Sequence, residues 1–145
     1  MKLPDTNIWL ALCLSGHSHH QAAKTWLNGE SAPDSLLFCR STQQSLLRLL
    51  TTRGVMSIYG LEPLTNAAAW AVYEQFIADE RISFCSEPAR MDATWKKLAA
   101  RRTSSPKLWM DAYLGAFAIA SSAQIITTDK AFTQFPALDV LVVEL

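Results

Sequence analysis

Short apolar runs alternate with longer helical stretches along the whole 145-residue chain, and that alternation narrows the architectures open to it. A strand that leads into a helix and then into another strand builds a parallel sheet, because parallel strands need a long crossover. The expected fold is α/β in three layers (α/β/α), with helices on both faces of a mainly parallel central sheet.

Lys2 to Thr6 reads as a buried strand that runs into a helical turn from Ile8 to Leu14, ended by Gly16. A helix from about His19 to Asn28 follows, with Ala22, Ala23, Trp26 and Leu27 at helical spacing, and Pro33-Asp34 makes a turn. Ser35 to Cys39 is a second strand. Ser41 or Thr42 can cap the next helix, which carries Leu46, Leu47, Leu49 and Leu50 and closes at Gly54. Thr65 or Asn66 caps a third helix whose inward face would be Trp70, Val72, Tyr73, Phe76 and Ile77.

Ile82 to Cys85 is a strand, Asp92 caps a helix to about Ala100, and Arg101 to Lys107 is a polar loop. The stretch from Met110 to Ala123 is apolar nearly all round, so it should pack centrally against the sheet. Gln124 to Thr127 and Val140 to Val143 complete the strands. Repeats, low-complexity tracts and internal linkers are absent, so residues 1–145 read as one domain.

Thirteen basic residues balance thirteen acidic ones, which excludes a globally cationic nucleic-acid binder and leaves room only for a local basic patch. Cys13, Cys39 and Cys85 are odd in number and lack the close pairs of a zinc site. They read as buried thiols of a reducing compartment, which implies a cytoplasmic location. Pro4, Asp5 and Asn7 interrupt the apolar start and argue against a secretion signal. No apolar stretch reaches the roughly 18 residues that a membrane span needs.

Asp5, Asp111 and Asp129 each stand where an apolar strand or helix meets a turn. In a parallel sheet, sites form at the carboxyl ends of strands, and Asp5 and Asp129 fall at such ends. Asp111, in the first turn of the central helix, can project toward the same edge. Clustered carboxylates repel one another unless a cation sits among them, which points to a hard divalent ion. Each acid also has a local structural use: Asp5 as a helix cap, Asp111 as a charge at a helix N-terminus, Asp129 as a turn residue. Those uses do not explain why all three fall at one edge.

The segments Pro4-Asp5-Thr6-Asn7, Arg40 to Thr51, Asp111-Ala112-Tyr113-Leu114 and Thr127-Thr128-Asp129-Lys130-Ala131-Phe132 together resemble the PIN-domain ribonucleases. The closer resemblance is to the VapC toxins of toxin–antitoxin pairs, and it covers nearly the whole chain. It implies that Asp5, Asp111 and Asp129 are catalytic acids that bind Mg²⁺ or Mn²⁺, supported through hydrogen bonds by Asn7 and by Thr127 or Thr128. It also implies cleavage of structured RNA such as tRNA or ribosomal RNA loops, a small antitoxin partner and a homodimer. The family commonly places a glutamate where Ser45 stands here. That departure favours one persistent ion, with a second recruited by substrate, and opens a rival reading as an RNA- or protein-binding module that no longer cuts.

An aspartyl-phosphate phosphatase is a further rival, since a nucleophilic Asp at the end of the first strand suits that chemistry. Asn7 counts against it, because the mechanism usually wants a second Asp there. His17, His19 and His20 lack an acid or Cys at ligand spacing and read as a solvated loop. Arg48 can face the acidic pocket or reach solvent. Lys96, Lys97, Arg101, Arg102 and Lys107 form an acid-free stretch that runs into Trp109, where cations could neutralise RNA phosphates and an indole could stack on a base. Leu10, Leu14, Trp26, Leu46 and Leu50 are the leucine and tryptophan positions that could supply either a partner groove or core.

Overall fold

All three residues of Leu36-Leu37-Phe38 are buried, as a strand covered on both faces requires. The computed structural model describes residues 1–145 and has five strands, of which this interior one alone is buried throughout: β1 (Lys2–Pro4), β2 (Leu36–Phe38), β3 (Ile82–Phe84), β4 (Gln124–Thr127) and β5 (Val140–Val142). They form one sheet in the order β3-β2-β1-β4-β5. Every pairing is parallel. The helices are α1 (Thr6–Cys13), α2 (His20–Asn28), α3 (Arg40–Leu50), α4 (Arg53–Met56), α5 (Asn66–Ile77), α6 (Asp92–Ala99) and α7 (Leu108–Ala120). None is long and apolar enough to cross a membrane.

Side chains alternate along each strand and so divide the core in two. Leu36, Phe38 and Ile82 join Trp9 and Leu10 of α1, Leu46 and Leu50 of α3, and Ala69 and Tyr73 of α5. On the opposite face Leu3, Leu37 and Ile125 pack with Ala112, Ala116 and Phe117 of α7. The expected three layers are therefore present. Trp9 is the largest fully buried side chain, stacked on Phe38 at 4.0 Å between ring centroids. α7 is central because Ala112, Ala116 and Ala118 let the sheet approach closely, Gly115 leaves room for Leu98, Phe135 and Leu138, and Phe117 fills the remaining space.

Several local expectations shift. α3 starts at Arg40, two residues earlier than a Ser41 cap and three earlier than a Thr42 cap would place it. Cys39 takes the cap position, and its backbone N–H donates to Thr42 Oγ1 at 3.1 Å. Gly54 does not close α3, which ends at Leu50. It lies inside α4, which is followed by a 3₁₀ turn over Ser57–Tyr59. The reversal after that turn is made by Gly60, whose φ of 69° suits glycine. Thr65 does cap α5, accepting from the Ala68 N–H at 3.1 Å. Asp92 sits in the first turn of α6, one residue after the cap at Met91. α7 begins two residues before Met110 and ends at Ala120, and a 3₁₀ turn over Lys130–Gln134 was not legible in the sequence.

The inward face assigned to α5 was too broad. Tyr73 is buried, but Trp70 is 47% exposed and Ile77 also reaches solvent. Leu10 and Leu46 belong to the core, with Trp26 packed against it, while Leu14 and Leu50 are core residues that also border a groove. An apolar cavity of 560 Å³ does open on that side, lined mainly by other residues, among them Leu12, Leu27, Met56, Leu61, Leu64 and Phe76. The three histidines are only partly exposed: His17 stacks on Tyr59 at 5.6 Å, and His20 Nδ1 lies 2.7 Å from the Ala11 carbonyl.

Candidate active site

The strand order reverses at the centre of the sheet, where β1 leads outward to β2 on one side and has β4 on the other. Such a switch point leaves a crevice at the carboxyl ends of its strands. Asp5 follows β1, and Asp129 lies two residues beyond β4. α7 brings Asp111 to the same edge from below. A cleft of 250 Å³ is lined by Asp5, Asn7, Asp111 and Asp129, together with Thr6, Ser41, Ser45, Arg48 and Met110.

Asp5 is held by its local backbone. It caps α1, its Oδ1 accepting from the Ile8 N–H at 3.1 Å. Its own N–H donates to the Ile126 carbonyl at 2.8 Å, tying the end of β1 to β4. Its Oδ2 accepts from the Thr127 hydroxyl, and that hydroxyl in turn accepts from the Asp129 N–H at 2.9 Å. Thr127 is wholly buried, so one side chain fixes the spacing of two strand ends. Thr127→Val, which keeps shape and removes the hydroxyl, should cost about 1–3 kcal/mol in urea denaturation by leaving polar groups unpaired. Thr127→Ser should recover most of that stability. Equal midpoints for all three proteins would contradict the bridging role.

Asp5 is only 5% exposed, and burial pushes its carboxyl up to about 6 against the opposing pull of Thr127 and the Ile8 and Asn7 N–H groups; the Asp129 charge adds to the rise. Burial also raises Asp111, and the Asp129 charge raises it further. Asp129 thus acts electrostatically on both other acids. No three acidic, histidine or cysteine side chains stand close enough to enclose an ion among themselves, so the expected carboxylate triad is a shared cleft rather than a closed ligand set. Asp129 Oδ1 accepts from the Ala131 N–H at 2.8 Å and starts the 3₁₀ turn.

These residues fit a hard divalent ion. The donor groups around the cleft are carboxylates, hydroxyls and the Asn7 amide, with no thiol or imidazole. Oxygen donors of that kind suit Mg²⁺ and Mn²⁺, which complete their coordination with water or substrate oxygens. Two carboxyls raised by burial and by the Asp129 charge are groups that a cation would stabilise in their ionised form.

Asn7 lines the cleft but is exposed, and the carboxylates find their hydrogen-bond donors in Thr127 and the backbone. Of the two threonines, Thr127 supports the acids and Thr128 lies outside the cleft lining. Arg101, Arg102, Lys107 and Trp109 do not line the cleft. Arg101 reaches Gln134 Oε1 at 2.7 Å, which sets its loop beside the turn that follows Asp129. Trp109 is 52% exposed, next to Met110 of the cleft wall, with its ring edge-on to Trp95. Sequence reasoning did not place Ser41, Thr6 or Met110 at the site. The period of α3 was the available signal, since Ser41, Ser45 and Arg48 fall on one face.

The PIN domain family matches residues 2–138. Ribonuclease VapC41 of Mycobacterium tuberculosis is 53% identical over 140 residues, covering 96% of each chain. Among solved structures, M. tuberculosis VapC20, described as a sarcin-ricin loop cleaving toxin, superposes with a TM-score of 0.68 at 17% identity, covering 94% of this chain and 95% of that one. VapBC2 from Rickettsia felis, bound to a promoter DNA fragment, gives 0.66 at 12% identity over 99% and 98%. At those identities the superpositions speak for the fold, while the sequence matches speak for descent. The chain belongs to the PIN-domain family and, within it, to the VapC group.

Proposed function

We propose that this protein is a metal-dependent endoribonuclease, the toxin of a type II toxin–antitoxin pair, which cuts exposed loops of structured RNA such as tRNA or ribosomal RNA. The observation that carries the reading is the cleft at the strand switch point, walled by Asp5, Asp111 and Asp129. VapC41, which shares over half of its aligned residues with this chain, is named as a ribonuclease.

Asp5, Asp111 and Asp129 would hold Mg²⁺ or Mn²⁺. When bound, such an ion lowers the pKa of a coordinated water and offsets charge on the phosphoryl oxygens. Thr127 keeps Asp5 oriented, and the rigid α7 sets the height of Asp111 in the cleft. The loop with Arg101, Arg102 and Lys107 offers cations to the RNA backbone as it approaches, and the exposed Trp109 offers a face to an unpaired base. The apolar cavity beside α2 and α5 has the character expected for the apolar face of a small antitoxin segment. The active form is a homodimer.

The test is incubation of the purified protein with total tRNA and with ribosomal RNA, in Mg²⁺, Mn²⁺ or EDTA. Discrete fragments formed only with metal are expected. Ser45 lines the cleft where related enzymes commonly carry a glutamate, and this favours the second reading, a binding module. Binding without cleavage by the wild type and by Ser45→Glu would establish that alternative.

A further inference from the structure

Arg48 stands where two depressions of the surface meet. It lines the acidic cleft, and it also lines a groove of 390 Å³ shared with Leu47, Thr51, Asn66, Ala69 and Trp70. The helix explains the first contact: Ser45 and Arg48 are three residues apart on α3, so both meet the cleft. Arg48 is the sole cation lining either depression. It takes part in none of the four ion pairs of the molecule. A guanidinium beside an acidic site, without a carboxylate of its own, is suited to hold a phosphate.

The far end of the groove has a different chemistry. Trp70 is 47% exposed, although a tryptophan gains most from burial. Its ring is fixed: Nε1 donates to Glu74 Oε1 at 2.9 Å, and the ring lies against Tyr73 at 5.6 Å between centroids. Asn66, exposed at the first position of α5, adds a side-chain amide. An ordered indole and an amide make a platform that a nucleobase can stack on and bond to. The volume lies in the range of small-molecule sites.

We propose that this groove is a nucleotide subsite, taking the residue next to the scissile phosphodiester of a single-stranded RNA segment. It rests on the nuclease reading above. The strand passes over the acidic cleft, Arg48 holds the adjoining phosphate, and the next base lies against Trp70. Two features favour RNA over a protein occupant. The groove and the cleft share Arg48 in their linings, so a polymer that crosses one is brought to the edge of the other. The Glu74 carboxylate at the indole edge also disfavours phosphate at that end, so phosphate and base have separate places.

The experiment compares wild type with Trp70→Ala, Trp70→Phe, Arg48→Ala and Arg48→Lys in two assays. One is steady-state cleavage of an RNA hairpin in Mg²⁺. The other is binding of a short single-stranded oligoribonucleotide in EDTA, followed by fluorescence anisotropy across a salt series. Trp70→Ala should raise KM and the EDTA dissociation constant roughly tenfold with kcat little changed, and Trp70→Phe should keep most of the affinity. Arg48→Ala should weaken binding and lower the salt slope by about one counterion, with Lys restoring part of both. Both side chains are exposed, so thermal midpoints should not move.

If wild type cleaves and all four variants match it in both assays, the subsite is wrong and the nuclease reading survives. If wild type binds in EDTA with the stated losses in the variants but never cleaves, the subsite stands and the nuclease reading falls. Absence of both cleavage and binding by wild type overturns both, and cleavage by wild type with no binding in EDTA overturns the subsite alone. If Trp70→Ala turns a dimer into a monomer by light scattering while RNA affinity per chain is unchanged, the face belongs to a second copy and the proposal is overturned.

Discussion

Asp5→Asn should remove metal-dependent cleavage while making the metal-free protein more stable at neutral pH. The loss follows from the place of Asp5 in the cleft: a carboxylate replaced by an amide holds a divalent ion poorly. Without several kcal/mol of charge stabilisation in the transition state, turnover should fall on the order of a thousandfold. The gain follows from burial. The folded protein holds the Asp5 carboxyl at about 6, above its ordinary 3.8, so folding binds a proton more tightly than the unfolded chain does.

Below pH 3.8 the carboxyl is protonated in both states and costs nothing. As pH rises from there through 6 the ionised form must be accommodated in a buried place, and stability falls by roughly 3 kcal/mol at most. Asparagine avoids that penalty: its Oδ1 keeps the bond from the Ile8 N–H, and its Nδ2, in place of the oxygen that accepts from Thr127, can donate to that hydroxyl instead. Thermal melts in EDTA should therefore show the variant several degrees above wild type at pH 7.5, and level with it near pH 3.5. Added Mg²⁺ should raise wild type alone. A variant less stable than wild type at pH 7.5 in EDTA would contradict the account of Asp5 as a strained, ion-seeking carboxylate.

Trp9→Ala should produce the largest stability loss of any single truncation. Trp9 is fully buried, stacked on Phe38 and edge-on to Phe76, at the junction of α1, β2 and α5. Removing an indole there forfeits transfer energy and leaves a cavity, at a cost of about 3–5 kcal/mol. Against a total of about 5–15 kcal/mol, that is a large fraction. The thermal midpoint should drop by roughly 10 °C or more. Trp9→Phe should be milder, because the buried indole N–H has no hydrogen-bond partner to lose. A loss under about 1 kcal/mol by urea denaturation for Trp9→Ala would mean that the core on this face is not organised around the indole.

The strand positions were legible because each is a short, mostly apolar run bounded by turn formers, and β4 has the limits expected from Gln124 to Thr127. α7 was legible for the same reason, since a helix apolar on all sides has to be interior. Legibility failed where two physical preferences compete. Trp70 and Ile77 are apolar and fall near the inward stripe of α5, yet Ala69 and Tyr73 already fill the contact with the sheet. Cys39 caps α3 although sequence favours the hydroxyl residues that follow, because β2 runs straight into the helix and leaves no turn for them.

The sequence by itself determined the α/β alternation, the parallel sheet and the placing of three aspartates at element ends, because hydrophobic period and turn chemistry are local properties. Tertiary structure alone decided how those aspartates relate. The strand order sets β1 beside β4, which lets one buried hydroxyl, Thr127, join Asp5, 122 residues before it in the chain, to the Asp129 backbone. It likewise decided that Arg48 faces the acidic cleft and shares a groove with Trp70. Burial and charge coupling arise only when distant segments pack, so the raised pKa values of Asp5 and Asp111 have no local signature in the chain.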